Sequence, residues 1–532
     1  MSTNSPAYRQ AADEVPLPAG WIWTNLGGLA EFINGDRGKN YPSGDAFVEH
    51  GIPFINAGHL VDGRVSMADM NFITEDRFDL LRSGKVKSGD ILYCLRGSLG
   101  KAAVVTNIDQ AAIASSLVIL RTNGACLPPY AYSFLVSPFG RAMIERYDNG
   151  SAQPNLSGKN VEEYRVPLAP LGEQKRIVEV LDSYLTRLDA AAEGLRRVEA
   201  NLKRYRSSVL KAAVEGRLVP TEADLAKRER RAYEPASVLL DRILKERRRR
   251  WEQAELAKMK AKGESPKNDN WKSKYQAPCA PDTTNLPALP EGWCWATVSA
   301  LVSDEPQNGV YLPKTRYGSG TPILRIDDFQ ALKAKPASEL QKVALDPAMS
   351  VQFALAPGDL VINRVNAPSH LGKCVVADPA LVGSVCESNM MRLRLGEGVE
   401  PRYLASYLTS VDGNRRLTEN AKWAVNQASI NQQDVLRTPV PLPPLPEQTA
   451  IAEEVSRQLA LAAHVSTEID ADRRSCARLR QSILTWAFEG KLVDQDPNDE
   501  PASVLLDRIR REGVVSAPEK TAPTRARRKR SA

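Results

Sequence analysis

The sequence predicts an α+β protein made by tandem duplication. A mixed α/β globular domain followed by a long helix occurs twice, and the two long helices pair as an antiparallel coiled coil. Residues 167–219 recur without a gap as residues 441–493. Each copy repeats apolar residues with a mean spacing of about 3.5, which is typical of the seam of a left-handed coiled coil. Short β-branched runs broken by glycine and proline precede each copy and indicate strands and turns.

Each long helix has a recognisable start and end. It follows a proline-rich run, carries Glu173 or Glu447 in its first turn, and closes on Gly216 or Gly490, a residue type that tolerates a left-handed helix end. The predicted seams consist of Ile177, Leu181, Tyr184, Leu188, Ala191, Leu195, Val198, Leu202, Tyr205 and Val209 in the first helix, and Ile451, Val455, Val465, Ile469, Cys476, Leu479 and Ile483 in the second. The alternative is two helices buried in a globular core, but the strict spacing favours a narrow seam.

Two further repeats set the domain boundaries. The motif Leu-Pro-x-Gly-Trp-x-Trp occurs at 17–23 and at 289–295, and the decapeptide EPASVLLDRI occurs at 234–243 and at 500–509. We therefore divide the chain into the first globular domain (1–166), the first long helix (167–219), a short helix with a basic linker (220–285), the second globular domain (286–440), the second long helix (441–493), and a short helix with a basic, disordered tail (494–532). Residues 245–278 are expected to be an exposed helix that frays into a disordered segment.

Composition bounds the environment and the partners. The 532 residues include seven scattered cysteines, which suits a reducing cytoplasm, and no apolar stretch that resembles a signal peptide or a membrane span. We expect a cytoplasmic protein without a membrane partner. The net charge is +7, and residues 224–274 alone hold 16 Lys and Arg against 9 Asp and Glu. Clustered basicity of this size is compatible with nucleic acid but does not demand it.

The two halves differ in where they diverge. The long helices match without a gap, whereas the globular domains match at framework positions and differ in their loops. Similar folds with different loops suit the recognition of two different features on one linear ligand, and DNA is the obvious candidate. An antiparallel helix pair would hold the two domains at opposite ends, while a parallel pair would place them side by side.

The second repeat resembles a known family. The run PLPPLPEQ at 441–448, leading into a helix that ends in QSIL at 481–484 and AFEGKL at 487–492, is similar to the conserved region of type I restriction–modification specificity subunits. The resemblance covers nearly the whole chain. The first copy departs from the second in having Val214 in place of Phe488 and Gly172 in place of Pro446.

The resemblance implies a non-catalytic subunit that binds double-stranded DNA. Each globular domain would be a target-recognition domain that reads one half of a bipartite site, and the coiled coil would set the spacing. The partners implied are two methyltransferase (modification) subunits and restriction (translocase–nuclease) subunits. No cofactor is expected in this chain, whereas S-adenosylmethionine, ATP and Mg are expected in the partner subunits. The alternative is a coiled-coil scaffold that holds two protein-interaction modules and does not bind DNA.

Fragments that mimic catalytic motifs lack their essential parts. The run LPPY at 127–130 has leucine where an amino-methyltransferase needs an amide or carboxylate, and no glycine-rich nucleotide loop precedes it. Glu173 and Lys175 resemble a nuclease pair, but the second copy has Thr449 at the lysine position. His370 and Cys374 have helix-like ligand spacing without a second pair of ligands. We expect neither a catalytic site nor a metal site.

DNA contacts are therefore expected from the divergent loops, because base edges and phosphates are read by basic, amide and hydroxyl side chains. The candidates in the first domain are Arg37, Lys39, Asn40, Tyr41, Arg96, Ser98, Lys101, Gln153, Asn155 and Lys159. The candidates in the second domain are Tyr311, Lys314, Arg316, Arg364, Asn366, His370, Lys373, Asn426 and Gln427. The repeated tryptophans Trp21, Trp23, Trp293 and Trp295 occupy equivalent positions and are interpreted as framework.

The short repeated helices are the candidate docking surface for the methyltransferase subunits. Each presents an apolar face beyond its long helix, where little of its own domain remains to cover it. The side chains concerned are Leu239, Leu240 and Ile243 in the first repeat and Leu505, Leu506 and Ile509 in the second. The alternative is that these helices pack back on the coiled coil.

Overall fold

The computed structural model describes residues 16–38, 41–148, 155–266, 268–330, 332–425 and 427–515. These residues form two compact units. The first unit combines the described parts of residues 1–195 and 471–532, and the second unit comprises those of residues 196–470. Each unit holds one globular domain together with a segment of each long helix.

The helices in the described residues include two of 44 residues each. In chain order they are α1 (Glu75–Leu80), α2 (Pro128–Val136), α3 (Pro138–Tyr147), α4 (Gly158–Glu162), α5 (Leu171–Val214), α6 (Glu222–Glu229), α7 (Ala236–Ala261), α8 (Val298–Leu301), α9 (Pro347–Phe353), α10 (Pro401–Thr409), α11 (Val411–Leu417), α12 (Gln432–Arg437), α13 (Leu445–Phe488) and α14 (Ala502–Val515).

The strands are short and fall in the two globular domains. Those of the first domain are β1 (Ile22–Asn25), β2 (Ala30–Asn34), β3 (Ile52–Ile55), β4 (Leu60–Val61), β5 (Arg64–Val65), β6 (Asn71–Ile73), β7 (Lys85–Val86), β8 (Ile91–Cys94), β9 (Ala102–Val104), β10 (Ala111–Ile113), β11 (Leu117–Thr122) and β12 (Arg165–Leu168). Those of the second are β13 (Cys294–Thr297), β14 (Gln307–Asn308), β15 (Tyr317–Leu324), β16 (Phe329–Gln330), β17 (Lys333–Ala334), β18 (Lys342–Val343), β19 (Leu360–Asn363), β20 (Val365–Asn366), β21 (Cys374–Val376), β22 (Val385–Cys386), β23 (Met390–Leu393), β24 (Lys422–Ala424), β25 (Gln427–Ser429) and β26 (Pro439–Leu442).

The first globular domain contains two four-stranded sheets. One has the order β2–β11–β8–β9 and is antiparallel throughout, and the other has the order β6–β3–β10–β7 with β3 and β10 parallel. The apolar strand β8 is buried along its whole length. Strands β1 and β12 pair antiparallel and bring the two ends of the domain together just before α5 begins.

The second globular domain repeats this plan, except that its sheet with the parallel pair has three strands instead of four and that it has one additional sheet. Its sheets β14–β23–β19–β21 and β18–β15–β22 follow the same topology, including the parallel pair β15 and β22, and β13 pairs with β26 as β1 does with β12. An additional sheet has the order β20–β25–β24. The predicted duplication of a mixed α/β domain is therefore confirmed.

A repeated ion pair fixes the start of the central strand in both domains. Asp90 accepts a hydrogen bond from Arg121 (Nε to Oδ1, 2.9 Å), and Asp359 accepts one from Arg394 (Nε to Oδ1, 3.0 Å). Both carboxylates are buried. Because a buried carboxylate needs partners for its charge, the Gly-Asp dipeptide found at 89–90 and again at 358–359 belongs to the framework of each domain.

The long helices α5 and α13 pair antiparallel within each unit. In the first unit Ile177 and Leu181, near the start of α5, share a core with Phe488 at the end of α13. In the second unit Tyr205 donates to Gln458 (hydroxyl to Oε1, 3.0 Å), and Val209 near the end of α5 shares a core with residues at the start of α13. The start of each long helix therefore lies beside the end of the other. The predicted antiparallel coiled coil is confirmed.

The predicted seam is only partly buried. The side chains of Ile177, Leu181, Val209, Ile451, Val455 and Ile469 are buried, as predicted. Those of Tyr184, Val198, Tyr205 and Leu479 are 41–52% exposed, so the burial expected of these four seam residues is not found, although Tyr205 contacts Gln458 of the other long helix. The apolar period of a helix predicts a stripe, but the neighbour decides how much of the stripe is covered.

The short repeated helices pack on globular domains. In the second unit the backbone N–H of Ala236, at the start of α7, donates to the carbonyl of Gly292 (2.8 Å), and in the first unit that of Ala502, at the start of α14, donates to Gly20 (2.9 Å). Each decapeptide therefore docks on the Gly-Trp motif at the entry of a globular domain. The helix that follows α5 serves the second domain, and the helix that follows α13 serves the first.

This packing corrects the expectation that the apolar faces of these helices are left uncovered. Leu239 and Ile243 lie in the core of the second domain, and Leu505 and Leu506 are buried in the first unit. The remaining two candidates, Leu240 and Ile509, are partly buried against the same two cores. The alternative of packing on the coiled coil holds in part, because the core that includes Leu506 also contains Leu484 and Phe488 of α13 beside residues of the globular domain. Four of the six side chains are therefore buried within the chain, and two remain partly exposed.

The linker is also more ordered than expected. Helix α7 continues to Ala261, and the chain beyond it folds back on the helix through aromatic contacts. The ring of Trp251 stacks on that of Trp271 at 6.0 Å and contacts that of Tyr275 at 5.4 Å. The prediction of a disordered segment is therefore wrong for the described residues up to Tyr275. Of the helices described, none combines the length and apolar character needed to cross a bilayer.

Candidate nucleic-acid interface

A buried glutamate ties each globular domain to its own long helix. Trp21 donates its indole N–H to Glu173 (Nε1 to Oε2, 2.9 Å), and Trp293 donates to Glu447 (Nε1 to Oε1, 2.9 Å). Desolvation raises the pKa of both carboxyl groups above the usual value. In each half of the chain, the first tryptophan of the Leu-Pro-x-Gly-Trp-x-Trp motif therefore bonds to the glutamate in the first turn of the long helix. The framework role predicted for Trp21 and Trp293 is confirmed, while Trp23 and Trp295 are only half-buried.

The two glutamates differ in how many donors they satisfy, which gives a test. Glu447 also accepts the backbone N–H of Glu222 (to Oε2, 2.9 Å), so both of its oxygens are used. We expect Glu447→Gln to cost about 1–3 kcal/mol of unfolding free energy, because an amide has one acceptor oxygen. Glu173→Gln is expected to cost less, because the second oxygen of Glu173 meets the Gln495 amide (3.5 Å), which can rotate. Denaturant unfolding measures both variants, and equal losses would contradict the assignment.

The same glutamates make stability depend on pH in a defined direction. Since burial raises the folded pKa of Glu447 above 4.5, the folded state binds the proton more tightly than the unfolded state. Its contribution to stability is therefore fully present below the unfolded pKa and is lost as pH rises through the folded pKa. The Glu447→Gln variant should lack this component of the pH profile.

The fragment that resembles a methyltransferase motif is structural. The backbone N–H of Leu127 donates to Gln174 (Oε1, 2.9 Å), and the fully buried Tyr130 donates its hydroxyl to the carbonyl of Pro167 (2.6 Å). The second domain repeats both contacts, since Gln448 accepts the N–H of residue 400 and the Tyr403 hydroxyl donates to a proline carbonyl. These side chains hold the start of α2 and α10 on the long helices.

The structure brings several predicted residues of the first domain to one rim. Arg96 and Asn155 form a backbone bridge, and Ser98 and Lys101 lie in the turn that joins β8 to β9. Lys159 lies nearby in sequence at the start of α4. All five side chains are exposed. The rim thus presents hydroxyl, amide and cationic groups together, which is the mixture that contacts phosphates and base edges.

Two other predicted residues of this domain lie in the loop after β2. Arg37 donates to the carbonyl of Ser115 (3.4 Å). The carbonyl of the next residue, Ser116, accepts the N–H of Leu95, which directly precedes Arg96 of the rim. Arg37 is therefore close to the rim. The ring of Tyr41 is half-buried and meets that of Phe54 edge-on at 5.7 Å, so Tyr41 contributes to the packing of the second sheet.

The second domain groups its candidates around β20. Asn366 lies on β20, Gln427 lies on the paired strand β25, and Arg364 precedes β20 and donates to the carbonyl of Ser388 (3.2 Å). In the turn that follows, Lys373 contacts His370 (Nζ to Nδ1, 2.5 Å), and desolvation lowers the pKa of this lysine.

The other candidates of the second domain are Tyr311, Lys314 and Arg316, in the loop between β14 and β15. All three are exposed, and Tyr311 is 84% exposed. This loop lies close to the residues after β22, since Val310 forms a bridge with Glu387. The predicted residues Lys39, Asn40, Gln153 and Asn426 lie outside the described residues. The individual DNA-binding roles of all these side chains stay predictions.

A hairpin of the second domain carries residues that the sequence interpretation missed. Strands β24 and β25 form it, and Trp423 on β24 is 62% exposed while Val425 in the turn is 99% exposed. The available signal was an aromatic residue set between polar residues in a loop, next to the predicted Gln427. Choosing only polar residues as DNA contacts excluded both of them.

Candidate metal ligands do not converge in the described part of the chain. There, no group of three or more His, Cys, Asp and Glu side chains is placed to hold an ion. Cys374 is buried, and its thiol donates to the carbonyl of Gly372 (3.1 Å), whereas the imidazole of His370 contacts Lys373. The pair is accounted for by local packing.

A groove of about 870 Å³ lies between α13 and the second globular domain. Ala405 lines it, and the residue at the equivalent position of the first domain is Tyr132. A large side chain is thus replaced by a methyl group. The groove contains none of the predicted DNA-binding residues, so it is not part of the candidate interface.

The fold and the site together define a class of protein. Two α/β domains of the same topology each carry an exposed polar rim, and each is anchored through Trp-Glu and Gln contacts to one of two long antiparallel helices. The frameworks match and the rims differ. This is the architecture of a two-module recognition protein.

Comparison with known proteins finds similar proteins of one kind. Residues 18–199 match the Type I restriction modification DNA specificity domain. The chain is 24% identical to the StySPI specificity subunit of Salmonella potsdam, over 96% of this chain and 99% of that protein. It is 22% identical to the EcoKI specificity subunit of Escherichia coli, over 95% and 98%. The chain is thus similar to type I restriction–modification specificity subunits over nearly its whole length, as its sequence predicts.

A solved structure shares the fold. A chain from a structural study of the assembly and conformational transition of a type I restriction–modification system superposes with a TM-score of 0.57 at 20% identity. The match covers 90% of this chain and all of that one.

Proposed function

We propose that the protein is the sequence-specific DNA-binding subunit of a type I restriction–modification complex. Each globular domain reads one half of a bipartite DNA site, and the helix pair sets the spacing between the halves. One observation carries the proposal: within a chain that contains a DNA specificity domain, two domains share framework contacts down to the Trp–Glu hydrogen bond but differ in their exposed rims. The frameworks are alike because both domains must pack on a long helix in the same way, whereas the rims differ because each would contact a different half of the DNA site.

The chain itself is non-catalytic in this proposal. Two methyltransferase subunits would bind S-adenosylmethionine, and restriction subunits would use ATP and Mg. The apolar face of α7 and α14 is mostly buried in the chain, which argues against it as the docking surface for the methyltransferase subunits. Exposed apolar side chains along the two long helices support docking there instead. They are Tyr184, Val198, Tyr205, Leu461, Leu479 and Trp486.

A domain exchange tests the proposal. Residues 30–160 are replaced by the equivalent segment of a related subunit, and methylated sites are mapped genome-wide in cells that carry the parent or the exchanged chain. We expect one half of the methylated site to change while the other half and the spacing stay the same. The donor must keep the contacts of the 123–127 turn, because Gln174 on α5 holds the backbone of that turn.

Two results would contradict the proposal in different ways. A change in both half-sites would show that the domains do not read separately. Absence of any sequence-dependent DNA binding by the assembled complex would favour the alternative, a scaffold for two protein-interaction modules.

A further inference from the structure

The hairpin formed by β24 and β25 extends the second domain beyond its core. Strand β25 pairs with β20 on one side and with β24 on the other, so β24 is the outer strand. Every side chain of β24 is exposed, whereas Ala428 on β25 is buried. The core therefore ends at β25, and β24 is held by its pairing with β25.

The three strands give the ribbon two different faces. Directly paired residues point to the same face of a sheet, so Trp423, Ala428 and Asn366 share one face. By the same rule Lys422, Ser429 and Val365 share the opposite face. Trp423 thus lies beyond the core edge in the same row as the amide of Asn366.

The exposed apolar residues of the hairpin are unusual for their position. Tight turns favour Gly, Asn, Asp and Pro, whereas Val425 is β-branched and stands at the tip with 99% of its surface in water. An outer strand that carries an exposed tryptophan also invites unwanted pairing. Both side chains are largely exposed, so burial does not explain their presence and a ligand is the better explanation.

The charge beside the ribbon favours DNA as that ligand. Residues 364–373, which form β20 and the turn after it, include Arg364, His370 and Lys373 and contain no carboxylate. Cationic and amide side chains around an exposed apolar hairpin suit DNA, because its phosphates are anionic and its bases offer apolar contacts. The major groove is wide enough to admit a two-stranded β-ribbon, and thymine methyl groups and base edges there accept apolar contacts.

We propose that the β24–β25 hairpin enters the major groove of the second half-site and that Trp423 and Val425 make apolar contacts with its bases. The inference rests on the proposed function. It assigns specificity to two uncharged residues, while Lys422 on the opposite face is placed to meet a phosphate. The two roles have different signatures, because a phosphate contact releases counterions and an apolar base contact does not.

The test uses the full chain assembled with its methyltransferase subunits and two duplexes. One duplex carries the site mapped in cells, and the other has its second half-site scrambled. We expect Trp423→Ala to weaken binding to the mapped site by about tenfold or more, with the slope of affinity against salt unchanged and binding to the scrambled duplex unaltered. Lys422→Ala should reduce the salt slope by about 1 on both duplexes.

Matched variants separate the outcomes. Val425→Ala should also weaken only the mapped site, and because Val425 is fully exposed its replacement leaves the fold intact. Val411→Ala is the control, since this valine is 75% exposed on α11 in the same domain and should have no effect. Equal affinity of both hairpin variants and the parent for the mapped site would overturn the proposal. Loss of methyltransferase subunits from the hairpin variants would overturn it in favour of a protein interface. If the parent itself did not discriminate between the duplexes, the proposed function would fail instead.

Discussion

Replacing Leu239 by aspartate is expected to unfold the second unit. The side chain is fully buried in a core that includes Ala296 and Leu301, and a Cβ added to Gly398 would lie 2.9 Å from it, so it is tightly enclosed. Removing a buried leucine costs about 2–5 kcal/mol, and an unpaired carboxylate in its place adds the cost of desolvation. We expect a loss of more than about 4 kcal/mol of unfolding free energy, which is a large part of the stability of a domain. Denaturant unfolding followed by circular dichroism measures it.

The neighbouring residue provides the control. Val238 is 52% exposed on the same first turn of α7, so Val238→Asp places the same charge at the same helix end without burial. We expect it to change stability by about 0.5 kcal/mol or less. Leu505→Asp and Val504→Asp repeat the comparison for the first unit. A Leu239→Asp variant that stays folded but loses its methyltransferase subunits would instead restore the docking role first expected for this helix.

Replacing Phe488 by alanine is expected to destabilise the first unit by about 3–5 kcal/mol, the usual cost of removing a buried aromatic ring. Phe488 ends α13 and is fully buried, with ring centroids 5.1 Å from Tyr130 and 5.6 Å from Phe134. These edge-on contacts add to the loss. Thermal unfolding monitored on the full chain should show a lower transition for the first unit.

The equivalent residue of the first repeat is the matched control. Val214 ends α5 and is only partly buried against the core of the second unit. Val214→Ala should cost about 1–2 kcal/mol. If the two variants lost the same stability, the difference between the two helix ends would not reflect ring packing.

The candidate site could be predicted in part. Residues such as Arg96, Ser98 and Lys101 are exposed on one rim as expected, because polar residues in glycine-rich turns remain at the surface. Tyr41 was assigned to the site although its ring helps to pack a sheet, and Trp423 was omitted although it is exposed. Both residues are amphipathic or apolar, and their burial depends on neighbours distant in the chain.

The duplication, the two long helices and the mixed α/β domains can all be predicted from the sequence. These features follow from local spacing, since apolar period, proline and glycine positions fix a helix or a strand within one segment. The sequence also predicts that Trp21 and Trp293 belong to the framework, because their motif recurs with its surroundings.

How the repeated segments combine depends on contacts that form only in the folded chain. The decapeptides at 234–243 and 500–509 are identical, so their own residues cannot predict which globular domain each one packs on. The structure places the first on the entry of the second domain, through Gly292, and the second on that of the first domain, through Gly20. The same holds for the seam, where Val209 is buried and Val198 is exposed. A local pattern specifies an apolar face, whereas the surface that covers it is chosen by contacts between residues hundreds of positions apart.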